Sequence, residues 1–282
     1  MIRIGLTGYP LSHSFSPQLH KAAFTALSLQ GEYLLYPVAA AEPGGLARLT
    51  SRIREREILG LNVTIPHKQA IMPLLDGLTP TAQAVGAINT LYMQDDKLIG
   101  DNTDAPGFLA DLTRFLANSI SEKKALVMGA GGSARAVVYA LLQDGWKVTL
   151  AVRRESVNKA RAIIEWFEQQ IEAGPMDFVL LETGDLGRLG NGNRLIVNAT
   201  PVGMFPDTEF SAWPVGLPFP EGAAVYDLVY NPRHTRLVRE AKASGLRATS
   251  GMGMLVEQAA RSFTCWTGQE VPRDVLFAAV EV

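Results

Sequence analysis

Cysteine is nearly absent: the 282 residues include one, Cys265. A lone thiol forms no internal disulfide and builds no thiolate zinc site, which excludes a stapled secreted scaffold and suits a reducing compartment. No apolar run reaches the ~18 residues that a membrane-spanning helix needs. Neither sign of charge dominates, with 26 Lys and Arg against 28 Asp and Glu. The basic surface that phosphate neutralisation requires is therefore missing, and a nucleic-acid-wrapping role is excluded. Histidine is scarce, and His13, His20, His67 and His234 have no partner at metal-ligand spacing, so no metal is expected. Met1 to Gly5 opens in a strand-like pattern, without the basic and apolar segments of a signal peptide. The expectation is a soluble cytoplasmic enzyme or small-molecule binder.

What the chain does contain is an alternation of short β-branched runs and longer amphipathic stretches. Ile2 to Thr7 reads as a strand. Pro17 to Leu29 reads as a helix, with Leu19, Ala23 and Leu27 recurring every four residues. Ser16 is expected as its N-cap, Pro17 at its first position and Gly31 as the stop behind it. Strands at Tyr33–Val38 and Gly60–Ile65 flank a helix at Gly44–Arg56. A second alternation begins after residue 103. Helices are predicted at Ala105–Leu116, Ser133–Gln143, Val157–Ile171, Arg233–Ala243 and Met254–Thr267. Strands are predicted at Ala125–Met128, Lys147–Val152, Phe178–Leu181, Leu195–Asn198 and Ala224–Leu228, with loops at Gly184–Asn193 and Phe205–Pro220. Alternation of this kind implies parallel pairing and two α/β domains meeting near Asp104.

Gly129-Ala130-Gly131-Gly132-Ser133-Ala134 is a G-x-G-x-x-A motif between a strand and a helix, with another strand following. That is the setting of a dinucleotide-binding loop. The first glycine makes the turn, the second lets backbone approach a pyrophosphate, and Ala134 lets the helix pack against the strand. The next strand ends in Arg153-Arg154, where an NAD-binding domain usually places a carboxylate on the ribose 2′-hydroxyl. Two guanidinium groups suit a 2′-phosphate, so NADP is favoured over NAD. An inward-pointing Glu155 would reopen NAD, and two solvated arginines are the competing reading.

Further stretches extend the pattern along nearly the whole chain: Gly8-Tyr9-Pro10-Leu11-Ser12-His13-Ser14-Phe15-Ser16-Pro17, Asn62-Val63-Thr64-Ile65-Pro66-His67-Lys68, Gly86-Ala87-Ile88-Asn89-Thr90 and Gly100-Asp101-Asn102-Thr103-Asp104. Asn198-Ala199-Thr200-Pro201-Val202-Gly203-Met204 and Met254-Leu255-Val256-Glu257-Gln258 complete it. Together, in order, they closely resemble the shikimate dehydrogenase family. The resemblance implies an α/β fold with a substrate domain, residues 1–103 completed by the C-terminal helix within 251–282, and a Rossmann-type NADP domain, residues 104–250. It implies that Ser12 and Ser14 bind the substrate carboxylate, and that Thr64, Lys68, Asn89, Asp104 and Gln258 bind ring hydroxyls, with Tyr230 nearby. Lys68 and Asp104 would be the catalytic pair. Ser133 to Arg135 would lie over the cofactor phosphates, Asn198, Thr200 and Met204 would border the nicotinamide, and Gly251 would join the cofactor residues. Where the family's bacterial NADP enzymes often carry Asn-Arg-Thr, this chain has Val152-Arg153-Arg154 and keeps only the middle residue.

The chemistry of the residues runs alongside. Oxidising a ring hydroxyl moves a hydride to nicotinamide and a proton to a base. Lys68 suits the proton, and Asp104 can stabilise the ammonium and orient the hydroxyl. The competing readings are a surface lysine at a helix start for Lys68, and an N-cap of the helix from Ala105 for Asp104. His67, the usual acid/base type, is expected to be structural or at the surface. In an extended segment Ser12 and Ser14 point to one side; turn residues are the alternative. Gln258, in an Ala-rich helix, needs a partner, either substrate or a backbone carbonyl. The expected activity is NADPH-dependent reduction of 3-dehydroshikimate to shikimate by a monomer or homodimer, with no nucleic-acid or membrane partner. The alternatives are an NAD-dependent quinate/shikimate dehydrogenase, a methylene-folate dehydrogenase and a non-catalytic ligand sensor.

Overall fold

The computed structural model describes residues 1–117, 122–171, 176–188, 192 and 194–280. The chain divides into two compact units, Met1–Gly107 with Val256–Val282, and Phe108–Leu255.

In the first unit, β1 (Ile2–Gly8) is followed by α1 (Ser16–Ala26), β2 (Gly31–Pro37), α2 (Gly45–Arg54), β3 (Gly60–Val63), β4 (Gly77–Leu78), α3 (Pro80–Val85), β5 (Thr90–Gln94) and β6 (Lys97–Asp101). Their sheet runs β2-β1-β3-β5-β6-β4. Strand β1 pairs in parallel with β2 and β3, but β3 and β5 are antiparallel, as are β5 and β6. The purely parallel sheet implied by the alternation is thus corrected to a mixed one. The cause is the β5–β6 hairpin, whose turn residues Asp95 and Asp96 have φ of 47° and 60°. Two left-handed residues match the twist of the flanking strands, and Asp tolerates that region without being glycine.

Helix α1 buries Leu19, His20, Ala23 and Phe24. Its cap differs from expectation: Phe15 is the N-cap, and the Ser14 Oγ accepts the Ser16 N–H at 3.2 Å. The chain leaves the helix at Leu27 through left-handed Ser28, so Gly31 opens β2 instead of stopping the helix.

Helix α4 (Asp104–Leu116) begins one residue earlier than predicted. The Asn102 side chain, not that of Asp104, accepts the Ala105 N–H at 3.0 Å. Capping by Asn102 leaves the Asp104 carboxylate available for other partners.

The second unit continues with β7 (Lys124–Met128), α5 (Gly132–Gln143), β8 (Lys147–Val152), α6 (Val157–Gln170), β9 (Asp177–Leu180), α7 (Thr183–Arg188), β10 (Leu195–Asn198), β11 (Ala224–Asp227), α8 (Arg236–Ala243) and β12 (Arg247–Ser250). Its sheet is parallel throughout, in the order β12-β11-β10-β7-β8-β9. Strands β7 and β10 are fully apolar and buried over Ala125–Met128 and Leu195–Val197, as parallel strands covered on both faces must be. The strand order reverses between β7 and β10, and in open α/β sheets ligands bind outside the strand ends at that switch point. Helix α7 forms where a loop was expected, and most of the rest of that stretch lies outside the described residues. Helix α8 starts at Arg236, later than expected, because the Thr235 side chain caps it by accepting the Val238 N–H.

Helix α9 (Met252–Thr267) and α10 (Arg273–Val280) close the chain. From Val256 onward they belong to the first unit. There Phe263 meets Phe24 edge to face, and the Trp266 indole N–H donates to the Leu91 carbonyl at 2.9 Å.

Candidate active site

Lys68 follows β3 in a series of tight turns and not at the helix start considered from the sequence. Its carbonyl accepts the Ile88 N–H at 2.7 Å, which ties the turn to the segment leading into β5. The side chain is 10% exposed and that of Asp104 7%, and Lys68 Nζ lies 2.6 Å from Asp104 Oδ2. An amine and a carboxylate withdrawn from water to this extent are held by close pairing and further hydrogen bonds. The second oxygen, Oδ1, accepts from Asn89 Nδ2 at 2.9 Å. Asn89 Oδ1 in turn accepts the Thr103 N–H at 2.7 Å, and its Nδ2 stands 3.5 Å from Gln258 Oε1. Lys68, Asp104, Asn89 and Gln258 therefore form one contiguous buried set. An amine and a carboxylate so placed can hold a proton and pass it to a hydroxyl group.

His67 is buried and turned to the backbone: its Nε2 lies 2.7 Å from the Val38 carbonyl, so it anchors the turn that carries Lys68. Thr64 follows β3, and Ser12 and Ser14 follow the parallel neighbour β1, so all three lie beyond the same end of the sheet. The extended Ser12–Ser14 segment is corrected to a turn, closed by the Ser14 N–H on the Leu11 carbonyl at 3.1 Å. Ser12 is exposed and Ser14 half-buried. Ser14 Oγ accepts the Ser16 N–H and keeps its own proton to donate.

Sequence reasoning missed a layer beneath this set. Asn62, Thr90, Thr103 and Ser262 are all buried and hydrogen-bonded to one another or to Asn89. The available signal was Ser262 four residues beyond Gln258, on the same face of α9.

In the second unit, Gly129 ends β7 with φ of 114°. A Cβ there would stand 3.0 Å from Thr200 Cγ2 and 3.1 Å from the Ala199 carbonyl oxygen, so conformation and space both require glycine. Gly131 is extended and is the N-cap of α5, with no side-chain cap hydrogen bond. A Cβ on Gly131 would meet nothing within 4 Å, so open space lies over the loop, and a side chain would occupy it. Ala134 is fully buried against the sheet. Ala130, Gly132 and Ser133 complete a turn and first helical residues that fit a pyrophosphate on the helix N-terminus. The Arg135 guanidinium stacks over Trp166 at 4.9 Å and Phe167 at 5.6 Å. Burial lowers it to about 10.

Arg153 and Arg154 follow β8 and are exposed. Each has a carboxylate partner: Arg153 Nε lies 3.0 Å from Glu155, and Arg154 grips both oxygens of Glu182 at 2.7 and 3.0 Å. Glu155 is itself exposed, at 63%.

Asn198 is fully buried and its amide is fully engaged. Nδ2 donates to Asp227 at 2.8 Å and to the Val202 carbonyl at 3.3 Å, while Oδ1 accepts from the Thr200 N–H and hydroxyl at 3.0 and 2.7 Å. It shapes the loop that leads past Thr200 to Met204, which is 38% exposed. Gly251 is buried before α9, and Tyr230 is half-buried in this same unit.

Asp227 accepts from Asn198, the Val229 N–H and the Thr235 hydroxyl, yet burial pushes its carboxyl up to about 6. An acid raised in the fold favours the fold fully below its ordinary value of 3.8, and that contribution is lost as pH rises through about 6. A carboxyl-carbon NMR titration of Asp227 should show its midpoint near 6; a midpoint below 4 would mean that the three donors outweigh desolvation.

Comparison with known proteins bears on this arrangement. The family model described as the shikimate dehydrogenase substrate binding domain matches residues 6–91, and that of the shikimate 5'-dehydrogenase C-terminal domain matches residues 251–281. The shikimate dehydrogenase (NADP(+)) of Salinibacter ruber is 38% identical over 98% of this chain and 96% of its own. The chain belongs to the shikimate dehydrogenase family. A crystal structure of a shikimate dehydrogenase in complex with NADP+ superposes with a TM-score of 0.87 at 35% identity, covering 99% of this chain and 94% of that one. The Thermus thermophilus shikimate 5-dehydrogenase in complex with NADP(H) and shikimate gives 0.83 at 38% identity, covering 99% and 98%. Among the described residues of this family member, no helix is long and apolar enough to cross a membrane, and no three His, Cys, Asp or Glu are grouped to hold a metal.

Proposed function

We propose that the chain catalyses the reversible NADPH-dependent reduction of 3-dehydroshikimate to shikimate, a step of chorismate and aromatic amino-acid biosynthesis. The observation that carries this reading is the buried Lys68–Asp104 pair, at 2.6 Å, with Asn89 on its free oxygen. Family membership and the open glycine loop before α5 support it. In this reading, residues 1–103 with 251–282 form the substrate domain and residues 104–250 the NADP domain. The protein acts in the cytoplasm on a small molecule, as a monomer or homodimer.

Ser12 and Ser14 hold the substrate carboxylate by neutral donors, Thr64, Lys68, Asn89, Asp104 and Gln258 hold the ring hydroxyls, and Tyr230 is a further substrate-binding residue. NADP, when bound, supplies the hydride chemistry. Lys68 Nζ takes the proton of the reacting hydroxyl in the oxidative direction and returns it in the reductive one. Asp104 stabilises the ammonium once the proton has arrived and orients the hydroxyl. Gly129 to Ser133 cradle the pyrophosphate, with Ala134 seating the helix beneath. Thr200, Met204 and Gly251 line the nicotinamide side, with Asn198 fixing their loop. Initial rates with shikimate or quinate, each paired with NADP or NAD, test the reading. Shikimate with NADP should be fastest, and a preference for quinate with NAD would replace it.

Cofactor choice rests on Arg153 and Arg154. Arg153→Ala should raise the KM for NADP roughly tenfold and leave NAD kinetics nearly unchanged. Glu182→Gln should act in the opposite sense. Releasing Arg154 from its exposed pair should lower the KM for NADP by about two- to fivefold, the scale of such a pair. Equal effects on both cofactors would show that these residues do not read the 2′-phosphate.

A further inference from the structure

We infer that Ser262 of α9 is a positioning residue for the Lys68–Asp104 pair, acting through a closed ring of hydrogen bonds that fixes the orientation of the Asn89 amide. The inference rests on the reading of Lys68 and Asp104 as the proton-handling pair. Ser262 is fully buried, and its Oγ lies 2.9 Å from Asn62 Nδ2, 2.8 Å from Thr90 Oγ1 and 3.0 Å from Thr103 Oγ1.

The shorter contacts of the cluster favour one arrangement of its protons. Asn62 is oriented by the Tyr33 hydroxyl donating to its Oδ1 at 2.9 Å and by its own Nδ2 donating to the Asn89 carbonyl at 3.0 Å. Its second Nδ2 hydrogen goes to Ser262 at 2.9 Å, nearer than Thr90 Oγ1 at 3.2 Å. Thr90 donates to Asn89 Oδ1 at 3.0 Å, nearer than the Thr103 hydroxyl at 3.2 Å, and the Thr90 oxygen then accepts the Ser262 proton. Asn89 Nδ2 donates to Thr103 Oγ1 at 2.8 Å, and Thr103 passes its proton on to Ser262. The ring runs from Ser262 to Thr90, to the Asn89 oxygen, from the Asn89 nitrogen to Thr103, and back to Ser262. Every hydroxyl in it donates once.

The consequence reaches Asp104. With its oxygen held by Thr90 and the Thr103 N–H, Asn89 presents a donor to Asp104 Oδ1 and leaves Oδ2 to Lys68. The flipped amide would set its oxygen against the carboxylate and its NH2 against the Thr103 N–H. Removing the Ser262 hydroxyl deprives Asn62 and Thr103 of a buried acceptor and Thr90 of its donor, so the Thr103 N–H and Asp104 hold the Asn89 amide without the ring's support.

Ser262→Ala and the isosteric Thr90→Val open the ring at adjacent points. Both should lower kcat roughly tenfold while the KM values for shikimate and NADP change less than twofold. Both should also displace the limb of the kcat–pH profile that Lys68→Ala abolishes. The double variant should lose no more than the worse single, because one ring is broken twice. If Ser262→Ala does not melt cooperatively, Thr90→Val decides alone. A wild-type kcat and pH profile in the folded variants, alongside an inactive Lys68→Ala, overturns the inference and leaves the reading of the pair standing. A near-wild-type kcat in Lys68→Ala overturns that reading, and the inference with it.

Discussion

Lys68→Ala is expected to lower kcat by roughly 10²–10⁴-fold, the range for a positioned acid or base, with a much smaller change in the KM for shikimate. On the proposed reading, binding is shared among Ser12, Ser14, Thr64, Asn89 and Gln258, so the ground state should survive the loss of one amine, whereas its proton transfer should not. His67 is unsuited to stand in, because its ring is turned to the Val38 carbonyl. Asp104→Asn should also cut kcat, and the double variant should fall short of the product of the two losses, since each residue acts through the other. Ser14→Ala should do the reverse, raising KM more than it lowers kcat. The measurement is the pair of kinetic constants in folded protein. A near-normal kcat with a greatly raised KM would make Lys68 a binding residue only.

Gly251→Ala should destabilise the protein by about 1–3 kcal/mol or more, the cost of overpacking where nothing can yield. A Cβ at this position would stand 2.7 Å from the Leu228 carbonyl carbon and 2.9 Å from its Cα, and nearer still to the oxygen. All three are main-chain atoms beside a buried strand, so no side chain can rotate aside. Each kcal/mol corresponds to a fall of roughly 2–4 °C in Tm for a unit of this size. NADP should recover part of the loss, because a ligand that binds only the folded state shifts the equilibrium towards it. An unchanged melting temperature would mean that the β11–β12 region moves freely, contrary to its packing.

The parts of the molecule legible in the sequence are those governed by local rules. The β7–Gly129–α5 unit could be read because a glycine turn between an apolar strand and a helix leaves little choice. The β5–β6 hairpin escaped because two aspartates, and no glycine, occupy its left-handed turn. Asp104 offered itself as a cap because Asp is a good one; that Asn102 caps instead depends on how the chain enters the helix. The segment carrying Ser12 and Ser14 looked extended because spacing alone does not reveal that the Ser14 N–H turns back to Leu11. Lys68 and Asp104 were marked by their motifs, but the polar network behind them draws residues from β3, β5 and α9, with the residue before α4. No local pattern links Asn62 to Ser262, 200 positions apart.

That separation governs when the protein can become active during synthesis. Residues 108–255 are continuous in the chain and contain the whole parallel sheet, so they can close as soon as they leave the ribosome. Residues 1–107 emerge earlier but must wait. Gln258, Ser262, Phe263 and Trp266, which complete their polar network and their aromatic core, are made only after residues 108–255. Residues 1–107 thus mature only after residues 108–255 have been made, and a nascent chain halted before α9 would carry a finished parallel sheet and an unfinished setting for Lys68 and Asp104.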